Sequence, residues 1–217
     1  MYNFEKIANI KKDFIEQANL EKEGIKTNQH LNEPLGLRLR DDKRLNELAP
    51  NDFVQVERAS NLMLEINGCH YDVWKKNSTA ERLNTLKKIE KGISEIAHRP
   101  ECEIKLKSLG SGHHGYYDPV KKTITINSNY LKDDFESYKS CLDTIIHEGR
   151  HAYQDYNLTT KEVHSSPGDI TNWRLNENKY GYQSAERFGF KLYWMQPVEA
   201  DARKFAEDVI KKFESKV

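Results

Sequence analysis

The chain has 217 residues, with 34 lysines and arginines against 34 aspartates and glutamates, so its formal net charge is zero. That balance removes the electrostatic case for nucleic acid or an anionic membrane as a partner. A mean hydropathy of -0.86 without a long apolar stretch argues against a membrane span.

In chain order, Met1-Tyr2-Asn3-Phe4-Glu5-Lys6 has no basic segment leading into an apolar core. The expectation is a protein made in the cytoplasm without a signal peptide, open to later delivery by a dedicated secretion machine. Phe4, Ile7, Ala8, Phe14, Ile15 and Ala18 predict an amphipathic helix over residues 2–23, stopped by Gly24. Residues 25–50 carry Pro34, Gly36, Pro50 and a charged run from Arg38 to Arg44, which predicts a linker or surface loop. Asp52 with Gln55 reads as a capping box opening a helix that ends at Gly68. Ser78 with Glu81 is a second box. The helix after it aligns Leu83, Leu86, Ile89, Ile93 and Ile96, and Arg99-Pro100 ends it.

The pattern then changes. Glu103 to Leu109 and Thr123-Ile124-Thr125-Ile126 alternate polar and apolar residues and predict strands, with a hairpin turn over Asp118 to Lys122. Asp133 with Glu136 predicts the start of a long helix from about Asp134 to about Tyr156. Residues 158–190 read as loop with one short helix. Pro197 opens a last helix to about Phe213. Cys69, Cys102 and Cys141 are odd in number and far apart. They fit a reducing compartment and read as small buried hydrophobes.

The chemistry sits in the long helix. His147-Glu148-Gly149-Arg150-His151 is an HExxH motif. Side chains four apart share a helix face, so two imidazoles can converge on one tetrahedral Zn²⁺ at about 2.0–2.1 Å each. Glu148 is turned by about 100° from His147, off the ligand axis, which suits a general base acting on water at the metal. On the helical wheel Phe135, Tyr138, Cys141, Leu142, Ile145, Ile146, Ala152, Tyr153 and Tyr156 gather away from the histidines. Ser140, Asp143, Thr144 and Gln154 lie on the histidine side, so the pair is not part of an apolar stripe. The bland alternative is two histidines on a solvated face.

A catalytic zinc takes three protein ligands and a water. The metzincin spacing would need Gly at position 154 and His at position 157, which hold Gln154 and Asn157. In the last helix, Val198, Ala202, Phe205, Ala206, Val209, Ile210 and Phe213 form an apolar stripe, and Glu199 falls inside it. A carboxylate on a buried face is costly unless a cation meets it, so Glu199 is the candidate third ligand. His164 and Glu186 are its rivals. Asp143 and Asp201 are candidates to orient a metal-bound histidine.

These residues resemble the gluzincin metallopeptidases over roughly residues 103–213. The resemblance rests on HEGRH on a helix, an Ile-Thr-Ile-Asn strand before it and a Pro-Val-Glu-Ala-Asp-Ala-Arg-Lys-Phe-Ala helix after it. It is strongest to the minimal members, repressor-cleaving enzymes of mobile elements and metallopeptidase domains of bacterial toxins and effectors. The resemblance implies zinc bound by His147, His151 and Glu199, with Glu148 as base. It implies an α+β, zincin-like fold over 101–217: a small, mostly antiparallel sheet with an active-site helix and a C-terminal ligand helix; the helices read above make residues 1–100 an α-helical N-terminal region. It also implies that the strand at about Lys122 to Asn127 is an edge that pairs with substrate. The spacer between His151 and Glu199, longer than in the smallest members, implies an insertion over the cleft. An oxyanion stabiliser is expected among Tyr180, Tyr182, Tyr193 and His164, and His113 and His114 are candidates for the cleft mouth.

The expected function is a zinc-dependent peptide hydrolase, acting on a protein or peptide as an endopeptidase, cell-wall enzyme, toxin or effector with a secretion or immunity partner. The competing class is a non-catalytic partner-binding or phage-structural module with a vestigial metal site. Glu148 separates the two, because a binding module has no use for a base beside two ligands.

Overall fold

The computed structural model describes residues 47–217, without the side chains of residues 179 and 180. The expected helix over residues 2–23 and most of the expected loop over residues 25–50 lie outside the described residues. The chain divides into two compact units, one of Ala49–Ser165 with Ala200–Val217, the other holding residues 47–48 and Ser166–Glu199 among the described residues.

The larger unit mixes helix and sheet. Helix α1 (Asp52–Glu65) is capped by Asn51, whose side chain accepts from the Val54 N–H at 3.0 Å. The cap is therefore one residue earlier than the expected box at Asp52. Asp52 takes the first helical position, where an acid suits the helix dipole and its side chain can turn elsewhere. Gln55 turns inward and donates to the Pro50 carbonyl at 2.7 Å. After a 3₁₀ turn at Asn67–Cys69 and the short α2 (Tyr71–Trp74), α3 (Thr79–Ile96) opens with the expected Ser78–Glu81 capping box. The long helix α4 (Phe135–Thr159) starts at Asp134, which accepts from the Ser137 N–H at 2.8 Å, and continues beyond the expected end at Tyr156.

Strands β1 (Glu103–Lys107), β2 (Gly115–Asp118) and β3 (Thr123–Asn127) form a sheet in the order β1-β3-β2. β1 pairs parallel with β3 (Glu103 opposite Thr123), and β2 pairs antiparallel with it (Tyr117 opposite Ile124). This corrects two expectations. The sheet is mixed rather than mostly antiparallel, because β2 returns on the outer side of β3 instead of between β1 and β3. The strand at Lys122 to Asn127 is central, not an edge, and all five residues of β3 are buried. The edge beside α4 is β2. Asp118 shapes the turn between β2 and β3 by accepting from the N–H groups of Val120 (3.0 Å) and Lys121 (2.9 Å), and Lys122 takes a positive φ of 54°. Gly115 has to be glycine here: a Cβ would stand 2.6 Å from the Thr125 carbonyl and 2.7 Å from Cγ2 of Thr144 on α4.

One core serves the larger unit. Met63, Trp74, Leu86 and Ile89 from the helices before residue 100 meet Ile124, Ile126, Ile145 and Ile146. Ala206 and Val209 join them from α8 (Pro197–Glu214), which starts in the smaller unit and continues into the larger. The three cysteines are free and buried, and burial pushes each thiol up to about 12.

The smaller unit is more helical than the expected loop: α5 (Pro167–Leu175), a π-helical turn (Asn176–Tyr180), α6 (Ala185–Phe188) and α7 (Phe190–Met195). Its short helices carry no long periodic pattern, which is why the sequence reads as loop. Among the described residues, no helix is long and apolar enough to cross a membrane.

Candidate metal centre

His147 and His151 sit one turn apart on α4, ring centroids 4.7 Å apart and planes at 80°, with their Nε2 atoms 3.0 Å from each other. Two nitrogens on a tetrahedral zinc at about 2.05 Å each would stand about 3.3 Å apart. The imidazoles are therefore within a few tenths of an ångström of that spacing.

Glu199 comes from the first turn of α8, whose start is held by buried amides of the smaller unit. Gln196 Oε1 accepts from Asn176 Nδ2 (3.2 Å) and from the Gln183 N–H (3.0 Å), while its Nε2 donates to the Gln183 carbonyl (3.1 Å). Asn176 Oδ1 accepts from the Val198 N–H at 3.4 Å, meeting one of the donors a helix start leaves unpaired. The Glu199 carboxylate that follows is 1% exposed. Its Oε1 accepts a hydrogen bond from the Tyr182 hydroxyl at 2.6 Å.

One ligand atom each from His147, His151 and Glu199 lie within 4.8 Å of one another, a group that could hold a metal ion. Two imidazole nitrogens and a carboxylate oxygen are the donor set of a three-ligand catalytic site, so the residues present fit the expected metal. The rivals are placed otherwise. His164 is buried with Nδ1 3.1 Å from the Tyr153 hydroxyl and 3.8 Å from Asp52, and Glu186 is exposed on α6; neither belongs to the group.

Glu148 is half-buried, turned toward the sheet, where its Oε2 accepts from the Tyr117 backbone N–H at 2.9 Å. Tyr117 and Gly115 form the pairs of the β2–β3 ladder whose backbone groups point to the free edge. The candidate base, next to His147 in the chain, is thus tied to β2, the half-buried edge strand among the described residues. The Tyr117 hydroxyl donates to Asp155 at 2.6 Å, and burial followed by that carboxylate holds the phenol well above its usual range.

The other motif residues are structural. Gly149 faces a fully buried ion pair, Arg99 Nη1 to Glu90 Oε1 at 2.6 Å and Nη2 to Oε2 at 2.8 Å. A Cβ at Gly149 would stand 3.1 Å from that carboxylate and 3.2 Å from that guanidinium. Arg150 is 1% exposed. It donates to both oxygens of Asp52 (3.0 and 2.8 Å), and to Asp201 from Nε (2.9 Å) and Nη2 (3.0 Å). Its Cζ lies 4.9 Å from the Tyr153 ring centroid and 4.7 Å from that of Phe205. Burial opposes its charge, but the two carboxylates outweigh burial and raise the guanidinium further.

The histidine side of α4 is polar and partly buried: Thr144 and Gln154 are buried, and Ser140, His147 and His151 are half-buried. Gln154 Oε1 lies 2.8 Å from His151 Nδ1, and its Nε2 donates to Asp201 Oδ2 at 2.7 Å. Asp143 is exposed. Asn157, at the metzincin position, closes the following loop by accepting from the N–H groups of Val163 and His164, both at 2.7 Å. Of the expected oxyanion stabilisers, Tyr182 is on Glu199 and Tyr193 stands edge-on to Tyr182. The Tyr180 side chain lies outside the described residues. His114 stacks on Tyr130 at 4.4 Å and contacts Ser140 through Nδ1, while His113 is exposed.

Sequence reasoning missed Arg150, Gln154 and the Tyr117 N–H. Arg150 carried one signal: positions 146, 147, 153 and 154 hold no acid, so a buried arginine had to find its partners far away in the chain. Compared with known proteins, the chain matches no family model, no curated protein and no solved structure.

Proposed function

We propose that this chain is a zinc-dependent peptide hydrolase of the gluzincin type. The carrying observation is the convergence of His147, His151 and Glu199 within 4.8 Å, with Glu148 one residue from the first histidine. Zinc, when bound there, supplies Lewis acidity and makes water acidic near neutral pH. His147, His151 and Glu199 would hold it. Glu148 takes the proton from the attacking water and delivers it to the leaving amine. An extended peptide lies along β2, an edge strand among the described residues, where the backbone groups of Gly115 and the Tyr117 carbonyl turn outward while the Tyr117 N–H is held by Glu148.

The test has two arms. Elemental analysis of the purified protein gives about one zinc per chain, and His147→Ala or His151→Ala abolishes it; a zinc-free protein after incubation with zinc sinks the proposal. Glu148→Gln keeps the zinc and lowers cleavage of a peptide library by about 100-fold or more. Equal cleavage by mutant and wild type removes Glu148 as the base.

A further inference from the structure

An amide buried beside a metal ligand has a direction, and its other partner fixes that direction. Gln154 is 3% exposed. On one side is the Asp201 carboxylate, 2.7 Å from Gln154 Nε2, and on the other His151 Nδ1, 2.8 Å from Oε1. An ionised carboxylate only accepts hydrogen bonds. Asp201 accepts two bonds from Arg150 at 2.9 and 3.0 Å, and a guanidinium only donates. The amide NH₂ must therefore face Asp201, and the amide oxygen must face His151. An amide oxygen also only accepts, so His151 Nδ1 carries the hydrogen. In the neutral ring, Nε2 is then left with its lone pair on the side of His147, at 3.0 Å.

We infer that Gln154 is the positioning residue of this centre: directed by Asp201, it locks His151 in the Nδ1–H tautomer and aims Nε2 as a metal ligand. The inference rests on the zinc reading proposed above. A metal-binding histidine commonly donates its second nitrogen to a carboxylate, a carbonyl or water. Here the acid lies one group farther out and is shared with Arg150, so His151 meets an uncharged acceptor. Asp201 acts on the metal ligand only through the amide.

The experiment uses the full chain and two readouts. The first is the ¹⁵N shifts of the His151 ring in metal-free protein at about pH 8.5, where an ordinary imidazole is neutral. The second is zinc affinity by competition with a chromophoric chelator. Wild type shows a protonated Nδ1 and an unprotonated Nε2. Gln154→Leu, close in size and without either bond, loses that tautomer preference and binds zinc about 10- to 100-fold more weakly. An Nε2–H tautomer in wild type overturns the inference without any variant. So does Gln154→Leu with unchanged tautomer, whether or not its affinity falls, because a fall without a tautomer change is a general loosening. A wild type that shows the Nδ1–H form but binds no zinc overturns the zinc reading, and with it the positioning role.

Discussion

Glu199 is an acid in an apolar stripe, 1% exposed and bonded to Tyr182. Desolvation makes such a carboxylate expensive unless a cation or donors meet it. Glu199→Gln keeps an oxygen for Tyr182 and removes the charge. It should weaken zinc binding by more than about 100-fold, beyond the cost of losing an outer hydrogen-bond partner. The melting temperature of the metal-free protein should stay the same or rise. Chelator competition and a thermal melt in EDTA check the two halves separately, and a metal-free variant that melts well below wild type would make Glu199 a structural acid. The grouping of His147 with His151 was legible in the sequence because residues four apart share a helix face, and that of Glu199 because it interrupts a stripe of Val198, Ala202 and Phe205. Gln154 was not, since a glutamine on a polar helix face looks the same whether wet or buried, and its partner Asp201 is far along the chain.

Helices were legible where a cap preceded a long periodic run, as at Ser78 and Glu81. They were shifted where two adjacent residues compete for the cap, as Asn51 and Asp52 do, because the hydrogen bond to the third N–H decides and the sequence shows only the donors and acceptors. Strand order was not legible: four residues from Gly115 to Asp118 carry too little alternation to say which side of β3 they join. The pairing of α1 with α8 also escaped the sequence. Glu57 on α1 accepts from Lys216 at 2.7 Å and lies 2.8 Å from Lys212. Hydrogen bonds from Lys212 and then Lys216 hold its carboxyl down at about 2, against an ordinary 4.5. A depressed folded value means that the contribution is present above about 4.5 and is lost as the pH falls toward about 2. These side chains are partly exposed, so the effect is small and salt-sensitive. Glu57→Gln should melt no more than a few degrees below wild type at neutral pH, with the two curves converging near pH 2. A gap that persists at pH 2 would mean that Glu57 acts through packing rather than charge.

At the scale of the larger unit, Arg150 joins three helices, with Asp52 on α1, its own position on α4 and Asp201 on α8. Arg150→Met keeps an apolar stem between the rings of Tyr153 and Phe205 but leaves two acids without their shared cation. Breaking a buried charge network in this way should cost about 3 kcal/mol, read as a lower urea midpoint at unchanged slope. Asp52→Asn, at a partly exposed carboxylate, should cost clearly less; equal costs would remove Arg150 as the hub. Together with Gly149 against the Glu90–Arg99 pair, this divides the five-residue motif by trade. Its outer histidines and Glu148 face the ligand group and the sheet edge, while its two middle residues hold helices and a buried ion pair in place. The two sets therefore answer to different selection. On the hydrolase reading proposed above, a lineage that gave up the reaction would be free to drift at His147, Glu148 and His151, yet still be held at Gly149 and Arg150 by the need to fold. Its fossil would be an orphaned Gly-Arg in the middle of a long helix, legible as a former enzyme only to a reader who knew which residues the fold refuses to release.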